Sequence, residues 1–270
     1  MVKDINEVLR EAKSILKANE IDEREARLLL AFSLETTIEK LFMKKEITEI
    51  EYNKYIKIIK KRAEGMPYAY ITGHKEFMKL DFIVNKNVLI PREDTEILVE
   101  ETIKLNKKKI LDMCTGSGCI AISLAKYIDN AEVEGVDISK RALTIAKLNA
   151  KQNNVVVNFI NSNLFEEVTS TYDVIVSNPP YIRKRDMENL QKEVIREPEK
   201  ALDGGEDGLY FYKKIIKEAK KYLNEEGYLI FEIGFDQAKE VSELLKKYNY
   251  KNIEIIKDLS KNDRVVKAQK

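Results

Sequence analysis

The chain has 270 residues, 44% of them hydrophobic, and its 47 basic and 46 acidic side chains nearly cancel. This length favours two folded domains over one large one, and the composition excludes a disordered chain. The charge balance disfavours a protein that binds nucleic acid mainly through bulk charge. The absence of a long apolar run, together with two cysteines and one histidine, predicts a cytoplasmic protein without a membrane span, a disulfide framework or a metal site.

The first 64 residues contain none of the ten glycines and five prolines of the chain, which predicts a helical region. Apolar residues recur at helical spacing from Ile5 to Leu16. Two residue pairs have the capping-box spacing that begins a helix: Asp22 with Glu25, and Thr48 with Glu51. We expect these helices to end at Leu34 and near Ala63, within a helical domain of residues 1–66.

A short linker with a β-hairpin is predicted over residues 67–90. The segments Phe77–Val84 and Val88–Ile90 are rich in apolar and β-branched residues, and Asn85–Asn87 separates them. We expect these two segments to form the strands of the hairpin.

From residue 91 onward, strand-like and helix-like segments alternate. The predicted strands are residues 110–113, 133–137, 155–160, 172–177, 228–233, 253–256 and 264–268. The predicted helices are residues 118–128, 139–152, 236–248 and one that ends near residue 223. This alternation predicts an α/β fold with a doubly wound, mainly parallel sheet. Only a short loop separates the last two strands, so we expect them to be antiparallel.

A glycine-containing loop, Asp-Met-Cys-Thr-Gly-Ser-Gly from Asp112 to Gly118, joins the first of these strands to its helix. Such a loop is either a tight turn alone or a place where a ligand lies against the backbone. Asp137 ends the next strand, where a carboxylate can accept the hydroxyls of a ribose. A nicotinamide dehydrogenase shares this arrangement, but Ala121 leaves its usual glycine run incomplete. Asp112 favours a cationic ligand, such as a sulfonium or ammonium group, over a pyrophosphate.

The two cysteines lie at the same loop, at positions 114 and 119. Their spacing fits neither a Cys-x-x-Cys redox pair nor a zinc knuckle. We interpret them as small apolar side chains that pack beside the ligand.

The strand of residues 172–177 runs directly into the sequence Asn178-Pro179-Pro180-Tyr181. The two prolines stiffen the turn and leave its carbonyl groups available as acceptors. Asn178 offers a donor and an acceptor, and Tyr181 offers an aromatic face. An ordinary proline turn with a buried Asn is the alternative, but the position of the loop favours recognition of a planar substrate nitrogen.

This Asn-Pro-Pro-Tyr loop resembles that of S-adenosylmethionine-dependent methyltransferases that act on planar nitrogens. Four further segments resemble one family among them: residues 65–73, 89–96, 197–209 and 258–264. The family is that of the protein-(glutamine-N5) methyltransferases of peptide chain release factors, the PrmC (HemK) family. The resemblance covers nearly the whole chain.

The resemblance implies a class I methyltransferase with a Rossmann-like, mainly parallel, seven-stranded sheet. It implies transfer of a methyl group from S-adenosylmethionine to the glutamine in the Gly-Gly-Gln motif of release factors. The implied catalytic residues are Asn178, Pro179 and Tyr181. The implied cofactor-binding residues are Cys114, Thr115, Gly116, Ser117, Gly118, Asp137, Asn163, Leu164 and Asn178. The implied substrate-binding residues are Arg92, Thr95, Asn178, Pro179, Pro180 and Tyr181.

Two positions depart from the family pattern. Cys114 replaces the first glycine of the loop, which adds a side chain near the ligand. Asn163 stands where an aspartate often receives the adenine amino group, and the carbonyl oxygen of Asn163 can still accept that bond.

We expect residues 1–66 to dock the protein substrate and residues 91–270 to form the methyltransferase domain, although the helical part could instead merely cap the catalytic domain. We expect a monomer with release factors as partners and no direct contact with nucleic acid. The alternatives are a ribosomal-protein glutamine methyltransferase, an adenine-specific DNA methyltransferase and a non-enzymatic binding module. The DNA enzyme is disfavoured because neither part of the chain is basic.

Overall fold

The computed structural model describes residues 2–270, which form two compact units. The first unit extends to Gly73 and also includes the separate segment Gln191–Arg196. The second unit comprises His74–Leu190 and Glu197–Lys270. Within residues 2–270, no helix has the length and apolar character needed to cross a lipid bilayer.

The first unit is a helical bundle with a short antiparallel ribbon. Its helices are α1 (Ile5–Lys17), α2 (Glu25–Ser33), α3 (Ile38–Met43), α4 (Glu49–Ala63) and α5 (Tyr68–Thr72). The ribbon pairs β1 (Val2–Asp4) with β2 (Glu46–Thr48). The predicted apolar stripe of α1 is buried in a core that it shares with α2 and α4. The predicted capping box at Thr48 is confirmed: its hydroxyl accepts the Glu51 N–H, and the Glu51 carboxylate accepts the Thr48 N–H at 2.7 Å.

The predicted capping box at Asp22 is wrong. The Asp22 carboxylate accepts the backbone N–H of Arg24 at 2.9 Å and pairs with the Arg24 guanidinium at 2.5 Å. Glu25, which a capping box would turn back toward Asp22, instead binds Arg62. The two carboxylates therefore form ion pairs of their own, although α2 still begins and ends close to the predicted positions.

Arg62 connects the two chain segments of the first unit. Its Nε atom lies 2.5 Å from Glu25 on α2, and its Nη2 atom lies 2.7 Å from Glu193 in the segment Gln191–Arg196. The arginine is only 3% exposed, so both ion pairs are shielded from water on one side. This pairing anchors a segment that the sequence places far from the helices.

The second unit is an α/β domain. Its strands are β3 (His74–Phe77), β4 (Leu80–Ile83), β5 (Lys109–Met113), β6 (Glu132–Asp137), β7 (Asn158–Asn161), β8 (Tyr172–Ser177), β9 (Leu223–Glu232), β10 (Lys251–Lys257) and β11 (Asp263–Gln269). Its helices are α6 (Asp94–Lys104), α7 (Cys119–Tyr127), α8 (Lys140–Gln152), α9 (Tyr210–Ala219) and α10 (Ala238–Lys247). Short 3₁₀ turns occupy residues 184–189 and 199–201 of this unit, and a third, at residues 194–196, lies in the segment of the first unit.

Seven of these strands form one sheet in the order β10-β11-β9-β8-β5-β6-β7. The pairs β10–β11 and β11–β9 are antiparallel and the others are parallel. Alternate residues of β5 and β8 face two different apolar cores, one with α9 and α10 and the other with α6 and α7. The predicted α/β class, the seven-stranded sheet and the antiparallel final pair are therefore confirmed.

The predicted hairpin strands are wrong. The observed hairpin pairs β3 with β4 and turns at Met78 and Lys79, which have φ values of 50° and 57°. Two consecutive positive φ values are typical of the tightest hairpin turns, but those turns normally contain Asn or Gly, so the sequence hides this one. The segment Asn85–Asn87 forms a local turn instead, in which the Asn85 side chain accepts the N–H of Asn87 at 2.9 Å.

Two boundaries differ from prediction around β9. The strand begins at Leu223 rather than Tyr228, and α9 ends at Ala219 rather than near residue 223. Leu223 is buried and pairs with Tyr172, whereas Val174 already pairs with Tyr228. The intervening residues bulge out of the sheet, which interrupts the alternating pattern that sequence analysis uses. Helix α6 was not predicted.

We expect Arg62→Ala to reduce the local stability of the first unit by about 2–3 kcal/mol. This is below the roughly 3–5 kcal/mol of a fully buried broken pair, because Glu193 remains 40% exposed. Hydrogen exchange of α2 and α4 in the full chain measures the change. Lys54→Ala is the control, since its pair with Glu35 at 3.1 Å is exposed and should contribute less than about 1 kcal/mol. Equal effects of the two substitutions would contradict the anchoring role of Arg62.

Candidate active site

The sheet places three loops at one edge. Central strand β5 is parallel to β6 on one side and to β8 on the other. The chain winds outward from β5 through β6 to β7, and β8 then returns to the opposite side of β5. Open α/β sheets bind ligands at the carboxyl ends of the strands where the winding reverses in this way. The loops after β5, β6 and β8 carry most of the predicted site residues.

The loop after β5 turns sharply into α7. Cys114, Gly116 and Gly118 all have positive φ values, of 65°, 54° and 81°. A Cβ atom at Gly118 would lie 3.0 Å from Ile122 and 3.1 Å from Ala146, so this glycine permits close packing. A Cβ atom at Gly116 would meet no other atom of residues 2–270 within 4 Å. The backbone at Gly116 therefore faces open space, where a ligand can lie against it.

Asp137 at the end of β6 is bound to this loop. Its Oδ2 atom accepts the N–H of Gly116 at 2.9 Å, and its Oδ1 atom accepts the N–H of Ser139 at 2.8 Å. Each carboxylate oxygen has two lone pairs, so both retain capacity for a further donor. Burial raises the pKa of Asp137, and the two backbone hydrogen bonds oppose that rise. Asp137 can therefore support the glycine loop and still accept hydroxyl groups.

Asp112 is the more deeply buried carboxyl of the site. Its Oδ2 atom accepts the Thr115 hydroxyl at 2.5 Å and the Ala121 N–H at 3.1 Å. Its Oδ1 atom is buried and meets no hydrogen-bond donor in the part of the chain that the structure describes. Burial, opposed by these two hydrogen bonds, raises the pKa of Asp112 to about 7. A nearby cationic ligand would stabilise its charged form.

Both cysteines are free thiols with unreactive surroundings. Burial raises the pKa of Cys114 and raises that of Cys119 to about 12, so neither is a thiolate at neutral pH. Cys114 adopts the left-handed conformation that glycine adopts without strain, so its side chain adds backbone strain to this loop. Its side chain packs against the apolar core beside β5.

Asn163 and Leu164 follow β7 in the loop next to Asp137. The N–H of Ser162, immediately before them, donates to the Asp137 carbonyl oxygen at 3.1 Å. The Asn163 amide donates to Glu166 at 2.7 Å, and its oxygen has no donor among residues 2–270. Leu164 packs against the core and has a φ of 53°. The carbonyl acceptor predicted at Asn163 is therefore available, although the side chain is exposed.

The substrate loop, which we define as Asn178–Tyr181, follows β8. Pro179 and Pro180 are buried, and Asn178 is half-buried. The Asn178 amide donates from Nδ2 to the Thr95 hydroxyl at 3.2 Å, and its Oδ1 atom has no donor among the residues that the structure describes. Because the amino group of Asn178 binds Thr95, its carbonyl oxygen can accept a further hydrogen bond.

Glu232 at the end of β9 supports the other end of the substrate loop. It is only 1% exposed, and its Oε1 atom accepts the Tyr181 hydroxyl at 3.4 Å. Its Oε2 atom has no hydrogen-bond partner within residues 2–270. Burial raises the pKa of Glu232 to about 7, against the effects of Thr95 and Arg264, and burial together with the Glu232 charge raises the pKa of Tyr181.

A cleft of about 460 Å³ opens beside Tyr181. Its lining residues are Lys75, Ile90, Pro91, Arg92, Glu93, Asp94 and Tyr181. Arg92 is held at the cleft by an ion pair with the buried Glu197, whose second oxygen accepts the Ile90 N–H at 2.8 Å. The side chain of Arg92 remains 39% exposed, so it can also contact a ligand in the cleft.

Family models match both units of the chain. A model described as "PrmC N-terminal domain" matches residues 7–73, and one described as "Methyltransferase small domain" matches residues 92–211. A release factor glutamine methyltransferase of Clostridium acetobutylicum is 42% identical over 280 residues, which cover 98% of each chain. The chain belongs to the release factor glutamine methyltransferase family. The resemblance stated from its motifs is therefore confirmed.

Other relatives agree with this family. The release factor glutamine methyltransferase of Buchnera aphidicola (Schizaphis graminum) is 40% identical, and the match covers 99% of both chains. Among solved structures, a methyltransferase from Pyrococcus furiosus superimposes with a TM-score of 0.56 at 22% identity, over 72% of this chain and 91% of its own. At that identity the superposition supports the fold alone.

The structure brings the predicted site residues of this chain together at one edge of the sheet. The sequence did not predict two residues that support them, Glu232 and Gln237. Glu232 could have been noticed, because it is the one acidic residue in the apolar run from Tyr228 to Ile233. Gln237, whose buried amide contacts the substrate loop, carries no comparable signal in the sequence. The roles of the predicted residues remain predictions that follow from this geometry.

We expect Glu232→Gln to change the pH dependence of stability. The raised pKa means that the folded chain holds this proton more tightly than the unfolded chain. The stability it contributes is therefore complete below about pH 4.5 and is lost as the pH rises through about 7. As the pH rises from 5 to 8.5, the free energy of unfolding of the Gln variant should increase by on the order of 1–3 kcal/mol relative to that of the unsubstituted chain.

Urea unfolding of the full chain at the two pH values measures this gain. Glu243→Gln on the exposed side of α10 is the control and should leave the difference between pH 5 and pH 8.5 unchanged. If the free energies of unfolding of Glu232→Gln and of the unsubstituted chain changed equally with pH, the ionisation of Glu232 would not destabilise the folded chain, and the prediction would be wrong.

Proposed function

We propose that this chain transfers a methyl group from S-adenosylmethionine to the side-chain amide nitrogen of the glutamine in the Gly-Gly-Gln motif of peptide chain release factors. The observation that carries this proposal is the orientation of Asn178. Its amino group is bound to Thr95 and its carbonyl oxygen points to no protein donor among residues 2–270. A substrate amide N–H is a fitting donor for that oxygen, and the family membership of the chain supports the choice of acceptor protein.

The loops after β5 and β6 have the groups that S-adenosylmethionine requires. The open space at Gly116 accommodates a ligand against the backbone, and Asp137 retains lone pairs for the ribose hydroxyls. The unpartnered oxygen of Asp112 suits a positively charged ligand. The donor set therefore fits the cofactor, with Asn163 and Leu164 at the adenine end.

The chemical obstacle is the weak nucleophilicity of an amide nitrogen, whose lone pair is delocalised into the carbonyl group. S-adenosylmethionine, when bound, supplies an electrophilic methyl group on a sulfonium. Asn178 Oδ1 and the Pro179 carbonyl oxygen accept hydrogen bonds from the two N–H groups of the substrate amide, and these bonds fix the direction of its nitrogen. The proton that is released passes to water. Positioning and oriented dipoles, rather than an acid–base pair, then provide most of the rate.

Tyr181 and the cleft beside it provide the rest of the substrate site. The aromatic ring of Tyr181 packs on the plane of the glutamine amide, while the Glu232 carboxyl fixes its hydroxyl. Arg92, braced by Glu197, contacts the peptide backbone near the glutamine. Two glycines beside the glutamine suit this cleft because they allow the peptide to approach closely.

The helical residues 1–66 form the docking part in this proposal. They contain none of the glycine or Asn-Pro-Pro-Tyr motifs that bind small molecules, and the match to the PrmC N-terminal domain supports a role specific to this family. Exposed apolar side chains on this region, including Phe42, Met43 and Ile50, provide contact area for a protein partner. The chain acts as a monomer in the cytoplasm in this proposal.

We expect Asn178→Ala to reduce methyl transfer by about 10²–10³-fold, the usual effect of removing one preorganised polar group at a reacting centre. Asn178→Asp should also be impaired, because it removes the donor to the Thr95 hydroxyl and adds a negative charge beside it. The measurement is single-turnover transfer of labelled methyl to a Gly-Gly-Gln-bearing release factor, with the modified glutamine located by mass spectrometry. Full activity of Asn178→Ala would refute the proposed mechanism.

We expect Asp137→Ala to weaken S-adenosylmethionine binding by about 10–100-fold, since the ribose loses a charged acceptor worth about 1.5–3 kcal/mol. Asp137→Asn keeps the shape and one acceptor oxygen, so its loss should be smaller. Calorimetric titration with the cofactor measures both. If Asp137→Ala bound S-adenosylmethionine with unchanged affinity, Asp137 would not be the residue that binds the ribose.

A further inference from the structure

Gln237 is a buried amide whose three hydrogen bonds all hold main-chain atoms around the substrate loop. Its Nε2 atom donates to the Tyr181 carbonyl oxygen at 3.1 Å and to the Gly208 carbonyl oxygen at 3.3 Å. Its Oε1 atom accepts the Gly234 N–H at 3.0 Å. The residue is 2% exposed, so water does not compete for these bonds. One side chain thus joins the substrate loop to the segment that follows it and to the turn between β9 and α10.

The same part of the substrate loop is packed closely by two glycines. A Cβ atom at Gly204 would lie 2.7 Å from the Cα and carbonyl carbon of Tyr181. A Cβ atom at Gly208 would lie 2.5 Å from the Tyr181 carbonyl oxygen and 2.6 Å from Gln237 Nε2. The backbone at Gly204 and Gly208 therefore lies directly against the backbone of Tyr181. Only glycine, which has no Cβ atom, permits so close an approach.

Backbone hydrogen bonds complete this enclosure. The N–H of Ile182 donates to Leu202 at 3.0 Å, and the N–H of Gly204 donates to Ile182 at 2.8 Å. These bonds fix the chain beyond Tyr181, whereas Gln237 fixes the carbonyl of Tyr181 itself. The hydrogen-bonding pattern also defines the orientation of the Gln237 side-chain amide. Two carbonyl oxygens need its amino group as the donor, and the Gly234 N–H needs its oxygen as the acceptor.

We propose that Gln237 is a positioning residue, whose amide between Tyr181, Gly208 and Gly234 holds the substrate loop where Pro179 and Asn178 can accept the substrate N–H groups. This inference rests on the proposed methyl transfer to glutamine. The side-chain hydrogen bonds of Gln237 reach neither the cofactor loop after β5 nor Asn178. It acts by fixing the main chain three residues after Asn178, and displacements of about 1 Å at a reacting centre cost about 100-fold in rate.

The test compares Gln237→Met with Gln152→Met in the full chain. Methionine keeps the length of the side chain but removes all three hydrogen bonds. We expect Gln237→Met to lower kcat by about 10–100-fold, with cofactor affinity within about twofold of the unsubstituted chain. Gln152 is exposed on α8, where its amide binds Asp81, and its substitution should leave kcat unchanged.

Hydrogen exchange provides a readout that a general loss of stability would not produce. In Gln237→Met, the amides of Gly234, Ile182 and Gly204 should exchange faster while those of β5 and β8 keep their protection. Faster exchange throughout the sheet, with kcat and cofactor affinity reduced together, would mean that Gln237 only stabilises the fold and would overturn the proposal.

A second variant approaches the same contact from the opposite side. Gly204→Ala places a methyl group against Tyr181 without requiring a positive φ, and it should also lower kcat while cofactor affinity is retained. If Gln237→Met does not fold, this variant decides alone. Unchanged kcat in either folded variant would refute the positioning role while leaving the proposed function intact. Absence of methyl transfer to glutamine by the unsubstituted chain would instead refute the proposed function.

Discussion

The parallel pairing of β5 with both β6 and β8 is the constraint on which the site depends. Because parallel neighbours end at the same edge, the glycine loop, Asp137 and the substrate loop meet without any long connection reaching across the sheet. The register is also specific: Met113 pairs with both Val136 and Ser177, so the three strands end level with one another. A one-residue slip of β8 would turn Asn178 to the other face of the sheet.

Close to this edge the protein buries polar groups that a purely structural core would avoid. Asp112 and Glu232 each have a carboxylate oxygen without a protein partner within residues 2–270, and burial raises the pKa of both to about 7. Unpaired buried carboxyls destabilise a fold, which is why they cluster where binding or catalysis compensates for them. Cys114 adds backbone strain at the same place.

The sequence predicted the architecture well, because alternating strands and helices with glycine and proline at the turns specify an α/β sheet. It also indicated which loops lie together at the carboxyl edge of the sheet, since Asn178-Pro179-Pro180-Tyr181 and the glycine loop are compact motifs that directly follow strands. The hairpin was misplaced because its turn at Met78 and Lys79 uses residues that rarely adopt positive φ. The supports from Glu232 and Gln237 were missed for another reason. They are brought to the substrate loop by the pairing of β9 with β8, and although Glu232 is conspicuous as the acidic residue of an apolar run, no local pattern shows which loop it contacts.

The assignment of Gln191–Arg196 to the helical unit has a consequence for how this protein can be divided. The polypeptide passes between the two units three times, after Gly73, after Leu190 and after Arg196. The helical unit is thus not a contiguous cassette: a chimera joined only at Gly73 would separate Arg62 from its partner Glu193. Recombination that exchanges the helical unit within this family must therefore transfer two segments together. The helices and the segment Gln191–Arg196 are thereby inherited as one unit, although the sequence separates them by more than a hundred residues.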